Sequence, residues 1–209
     1  MPTSKKQPRR RAPLDVPRAG HPRIVTVPRR TYLTLSGRGL ATTGEPAAQA
    51  DLQAAIAALY SLAFTMKFAR KRKGGDLDIS PIEADWWVPD MPDPRGATPS
   101  QWRWQLFLPV PGVTLRELIG AVEIVRSRDG GSPLIAGAEL VTSPSTRCAE
   151  ALHIGPYDAE GPTIEAMVAY AQQHGWKPTG RHREVYLGDP RRSAPAKRKT
   201  VLRHPVVRA

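Results

Sequence analysis

The chain has 209 residues and one cysteine, Cys148, which leaves ample length for a hydrophobic core and excludes an intramolecular disulfide or a cysteine-rich zinc cluster. Its net charge of +12 suggests nucleic acid until the charge is apportioned. Residues 1–30 hold nine Lys/Arg against one acid, and residues 177–209 hold ten against two. The basicity therefore sits at the ends and reads as solvated tails, with weak, salt-sensitive contact to nucleic acid as the alternative.

The start, "MPTSKKQPRRRAPLDVPRAG", lacks the apolar stretch of a secretory signal. No run of about 18 apolar residues is found to span a membrane, so a cytoplasmic chain without a membrane partner is the default expectation. Residues 1–22 read as a disordered basic tail and residues 23–209 as one folded domain. "RIVTVPRRTYLTLSGRG" reads as a strand interrupted at Pro28. From Pro46, a helix carries Leu52, Ile56, Leu59, Ala63 and Met66 on one stripe and stops at Gly74-Gly75. "DISPIEADWW" and "QWRWQLFLPV" follow as strands joined by a loop from Pro89 to Pro99.

A second helix opens with the capping box Thr114-Leu115-Arg116-Glu117, carries Leu115, Leu118, Ile119 and Val122, and stops near Asp129-Gly130-Gly131. The first pattern then returns. "RCAEALHIGPYD" is a strand, Pro162 to His174 a helix closed by Gly175, and "GRHREVYLGDP" and "KTVLRHPVV" two more strands. The expected class is α+β: two β-α-β-β units related by a pseudo-two-fold axis, sharing an antiparallel sheet with helices on one face and a ligand cleft on the other.

In "HREVYL" alternate side chains share a face, which groups His182, Glu184 and Tyr186 against Arg183 and Val185. Glu184 is either a surface carboxylate paired with Arg181, Arg183 or Arg203, or the polar end of a pocket. In a pocket it serves as a counter-ion for a cation or as a general base toward water, with Tyr186 donating to a developing oxyanion. Four tryptophans, Trp86, Trp87, Trp102 and Trp104, fall close together and read as core filling or as a stacking platform for a flat ligand. His153 reads more simply as a satisfied strand-end histidine, and Cys148 as a small buried residue. No metal, nucleotide or serine-hydrolase motif is present, and no cofactor is expected.

Several phrases together resemble the GyrI-like small-molecule-binding family: "LYSLAFTMKF", "DWW", "WRWQLFLPVPG", "LHIGPYDAEGPTIEAM", "HGWKPTGRHREVYLGDPRR" and "KTVLRHPV". The resemblance implies a duplicated β-α-β-β fold around a central cleft. It extends to effector-binding domains of multidrug-sensing regulators, to gyrase-inhibitory proteins, and especially to stand-alone members that hydrolyse cyclopropane-bearing genotoxins. It implies Glu184 and Tyr186 as catalytic residues and Trp87 and Trp104 as ligand contacts, with Trp86 and Trp102 as alternates; His153 and Tyr60 are added as further candidate ligand contacts. The family motif often reads His-His-Glu, whereas here Arg183 intervenes and should point to the opposite face.

Three readings follow. The first is a hydrolase that adds water to a strained ring of a planar aromatic molecule. The second is a binding-only module that senses or sequesters cationic aromatic drugs. The third is an interaction protein directed at gyrase or at nucleic acid through its tails. An open sheet edge admits either a monomer or a homodimer.

Overall fold

A computed structural model describes residues 15–40, 46–91, 96–128 and 132–209. Most of the expected basic tail, part of the loop from 89 to 99 and the glycine stop at 130–131 lie outside the described residues. Among the described residues, nine strands and three longer helices run in the order β1 (Arg23–Val27), β2 (Arg30–Arg38), α1 (Pro46–Arg72), β3 (Glu83–Trp87), β4 (Arg103–Pro109), α2 (Leu115–Arg126). The second half follows as β5 (Glu139–Ser143), β6 (Thr146–Ile154), α3 (Gly161–Gln173), β7 (Trp176–Pro178), β8 (Arg183–Tyr186) and β9 (Lys199–Arg208). The architecture is the expected α+β duplication, with a curled antiparallel half-barrel sheet.

The sheet order is β1-β6-β9-β8-β3-β4-β2-β5, with β7 added at the end of β9. The two halves meet where β3 pairs with β8, and the register there sets Ala84 against Glu184. The first half contains one more strand than the expected four-element unit and the second contains two more, β5 and the short β7. The stretch around Pro28 is two strands rather than one interrupted strand: β1 joins the far half by pairing with β6, while β2 pairs with β4 and β5. The second half repeats the exchange, because β5 pairs with β2 before the chain turns at Pro144 into β6. Proline has no N–H for a ladder, so Pro28 and Pro144 mark equivalent crossovers, and these touch where the Ser145 hydroxyl donates to the Val27 carbonyl at 3.4 Å. The short polar strand "ELVTS" of β5 carries too few apolar residues to announce itself in the sequence.

One face of the sheet bears the helices. Leu52, Ala55, Ala58, Leu59, Leu62, Ala63 and Met66 of α1 are buried against Leu33, Leu35, Leu106 and Leu108. This extends the expected stripe, and Ile56 packs at its margin. By length and composition alone this helix is apolar enough to cross a membrane; its apolar side here is the core. In the other half, Met167 and Ala171 of α3 pack on Ala149, Ala151, Leu202 and Val206. The Thr114 capping box forms as expected, with Glu117 accepting from the Thr114 N–H at 2.9 Å and Glu117 N–H donating back at 3.3 Å. Arg70 of α1 grips the same carboxylate at 2.6 and 2.9 Å, which holds it down at about 2 and docks α2 on α1. Leu118, Ala121 and Val125 form the buried side of α2. Leu115 and Ile119, expected in that stripe, are exposed, because the Arg70 grip sets the rotation of the helix.

The indole of Trp104 packs against Gly37, its cross-strand neighbour, and donates to the Arg38 carbonyl at 3.2 Å. A Cβ at Gly37 would sit 2.1 Å from that ring. Gly37→Ala is therefore expected to lower unfolding stability by about 1–3 kcal/mol, the usual cost of overpacking, as read from urea midpoints at unchanged slope. An unchanged midpoint would show that Trp104 is not packed this way.

Candidate functional site

The alternation of β3 and β8 sorts the central side chains onto two faces. Glu83, Asp85, Arg183 and Val185 share one face; Ala84, Trp86, Glu184 and Tyr186 share the other. The second set lies on the helix-bearing face. Helix α1 contacts β2 and β4, and α3 contacts β6 and β1. The middle strands β3 and β8 lie between the strands on which the two helices mainly rest, and their side chains on this face form the candidate cleft.

The opposite face is occupied by charge. Arg183 makes a two-pronged pair with Asp85 at 2.6 and 2.9 Å and lies 3.7 Å above the Phe107 ring. Arg203 reaches Glu150 at 2.8 Å, Arg23 reaches the same carboxylate at 2.6 Å, and Glu83 sits between Arg30, Arg183 and Arg203 at 3.5–3.8 Å. A cavity of about 240 Å³ opens among these residues. Arg183 and Arg203 are therefore committed elsewhere, as the strand alternation demands, and do not neutralise Glu184.

Glu184 sits on the cleft floor, half-buried: protein surrounds it on most sides, yet solvent still reaches one edge. Burial, countered in part by a hydrogen bond from the Tyr186 hydroxyl, pushes its carboxyl up to about 7. The Tyr186 oxygen accepts in turn from Trp86 Nε1 at 2.9 Å, so an indole, a phenol and a carboxylate form one donor chain from β3 to β8. Tyr157 packs edge-on against Tyr186, centroids 5.6 Å apart. Glu160, nine-tenths buried and more, faces Glu184 from the turn before α3. Burial and the charge of Glu184 push it up to about 9. Like charges at this range cannot both ionise cheaply, so each carboxylate raises the other's affinity for a proton.

His153 positions that turn rather than entering the cleft chemistry. Its Nε2 meets the Pro156 carbonyl at 3.1 Å and its Nδ1 the Thr163 hydroxyl at 3.1 Å. Gly155 follows with φ of 151° and its Cβ position 3.0 Å from the imidazole, a close approach that a side chain would obstruct. His182, next to Glu184 on the same face, is pushed down to about 3 by burial and by His204, whose ring lies 6.2 Å away. It is neutral, and neither ring nitrogen has a hydrogen-bond partner among the described residues.

The tryptophans divide. Trp86 enters the cleft. Trp104 shares its face but is buried under α1. Trp87 turns to the charged face, where the Arg181 guanidinium stacks 3.6 Å over its ring. Trp102, half-buried, precedes β4 and is tied by its carbonyl to Gly39. Tyr60 packs at the edge of the α1 core and stacks toward Phe64. Sequence reasoning missed Glu160 and Tyr157; their signal was the phrase "GPYDAEG" itself, whose carboxylate gains meaning only when the turn folds over β8.

Comparison with known proteins bears on the fold and the domain family. Residues 121–206 match the GyrI-like small molecule binding domain. A crystal structure of an uncharacterized conserved protein from Listeria innocua superposes with a TM-score of 0.78 at 29% identity, covering 90% of this chain and 93% of that one. A second Listeria innocua structure, described as a hydrolase, superposes at 0.74 with 28% identity and the same coverage. The C-terminal domain of EcmrR, at 11% identity and a TM-score of 0.55 over 90% of this chain and 98% of that one, shares the fold. No protein of curated function matches the sequence at a significant level. The GyrI-like match ends within β9 and includes Glu160, His182, Glu184 and Tyr186 of the cleft.

Both raised carboxyls bind protons in the folded chain that an unfolded chain releases near its ordinary 4.5. The folded state thus holds more protons between about pH 5 and 9, and this contribution to stability is lost as pH rises through that window. Glu160→Gln keeps the shape of the protonated acid without its titration. Unfolding midpoints at pH 5, 7 and 9 should show the variant gaining stability relative to the parent as pH rises, whereas a constant difference would refute the assignment. Trp86→Phe removes the donor to Tyr186 and should cost about 1 kcal/mol in the same assay, with little further loss when added to Tyr186→Phe.

Proposed function

We propose that the cleft between α1 and α3 binds planar aromatic or hydrophobic molecules, cationic or electrophilic, and hydrolyses cyclopropane-bearing ones. The observation that carries this reading is Glu184: a carboxyl with its proton affinity raised by burial, unclaimed by the arginines of its own strand and its neighbours, hydrogen-bonded to Tyr186 and half-buried at the cleft. A carboxylate with affinity for a proton near pH 7 is matched to removing one from water. The water oxygen then bonds to the ring carbon as the strained C–C bond breaks. Those electrons pass into the conjugated carbonyl, restoring an aromatic phenolate that takes up a proton.

Tyr186 orients the water or stabilises the oxygen that gains charge. Because Trp86 and Glu184 hold the phenol from both sides, the site is positioned before ligand arrives, and ring opening that restores aromaticity depends on positioning more than on strong catalysis. The description of the 28% identical Listeria innocua structure as a hydrolase supports a reaction of this class. We assign residues 23–209 as the functional unit.

A binding-only role is the second reading, favoured by a buried carboxyl beside aromatic rings, which suits a cationic ligand. Purified parent and Glu184→Gln chains, incubated with an aromatic cyclopropane electrophile and followed by mass spectrometry, separate the two. Turnover by the parent that falls about 100-fold or more in the variant, with tryptophan quenching retained, supports the hydrolase. Quenching without ring-opened product in the parent establishes binding alone.

A further inference from the structure

The cleft floor has three ligating groups, and the unpaired atoms of Glu160 and His182 are a feature the proposed hydrolysis does not use. Glu160, His182 and Glu184 each place one ligand atom so that all lie within 4.8 Å of one another. His182 and Glu184 are alternate residues of one extended segment, and Glu160 comes over from the turn before α3. Glu160 is 5% exposed, and its Oε1 and both His182 nitrogens are withdrawn from solvent without a hydrogen-bond partner among the described residues. Buried polar atoms left unpaired cost on the order of 1–3 kcal/mol each, so a cluster of them points to an occupant.

The donor set restricts what that occupant is. One imidazole nitrogen and two carboxylate oxygens offer lone pairs to a single point, which suits a cation. The mixed nitrogen and oxygen donors fit zinc-class divalent ions, whereas magnesium prefers an all-oxygen shell with several waters. A divalent cation also balances two carboxylates in a low-dielectric site.

We propose that Glu160, His182 and Glu184 form a binding site for a divalent transition cation of the zinc class, and that such a cation and the organic ligand exclude one another at Glu184. The first half stands without the proposed hydrolysis; the second rests on Glu184 being its base, since a lone pair bound to metal is not free to take a proton from water.

Chelator-stripped chain titrated with zinc chloride by calorimetry, and with cobalt chloride by visible absorption, should bind one ion with no response to magnesium. Glu160→Gln, His182→Gln and Glu184→Gln should each weaken binding at least about tenfold, with thermal melting checking that each variant folds. A crystal of the parent soaked in zinc chloride gives a readout independent of the variants: an anomalous peak between the three side chains. No stoichiometric binding by the folded parent, or a peak elsewhere, overturns the site. Zinc should inhibit ring opening competitively, and chelator should restore it; ring opening that requires zinc overturns the exclusion. Zinc binding without ring opening in chelator strikes the proposed function alone, and ring opening without zinc binding strikes the metal site alone.

Discussion

The pairing of β3 with β8 is the constraint on which the rest of the molecule depends. The two halves meet along this short antiparallel junction, and strand alternation sends neighbouring side chains to opposite faces. On one face Arg183 locks to Asp85 and stacks on Phe107. A register slip of one residue would bury that guanidinium in the cleft and expose Glu184 to the ion network. The charged face therefore fixes the register that places the acid of the cleft.

Duplication supplies the frame, and divergence supplies the site. Around the junction Ala84 stands opposite Glu184. The methyl side chain leaves room for the carboxylate, while Trp86 and Tyr186, two residues on in each strand, bond across the axis. The same logic appears farther out: one half closes its sheet by laying Trp104 on Gly37, the other by having His153 bind the Pro156 carbonyl and Thr163. That histidine holds the turn that brings Glu160 over the cleft. One half is thus mainly scaffold and platform, and the other carries the titrating groups.

The swapped edge strands explain how so curled a sheet is held. β1 and β5 each leave their own half to pair with the other's second strand, so the halves are joined at the outer edges as well as at the centre. The cleft floor is then a part of the sheet with little freedom to flatten. That rigidity suits a site whose groups must hold fixed distances in partial burial, where displacement of a carboxyl would alter its proton affinity.

Much was legible in the sequence for physical reasons that act locally. Helix period and capping gave α1 and α2, and the element order gave the duplication. Period-two alternation gave the grouping of Glu184 with Tyr186 and their separation from Arg183. What local patterns do not contain is which of a sheet's two faces the helices cover, because a charged row such as Glu83, Asp85 and Arg183 reads as surface until its members pair. For the same reason Trp87 and Trp104 looked equivalent to Trp86: aromatic size is written in the sequence, but the face and the neighbour are not. Chain order and alternation by themselves determined the fold class and the Glu184–Tyr186 pair. Only tertiary packing decided that Glu160 and Tyr157, more than twenty residues away along the chain, complete the cleft, because burial and the approach of a second carboxylate arise from the closed turn rather than from any residue alone.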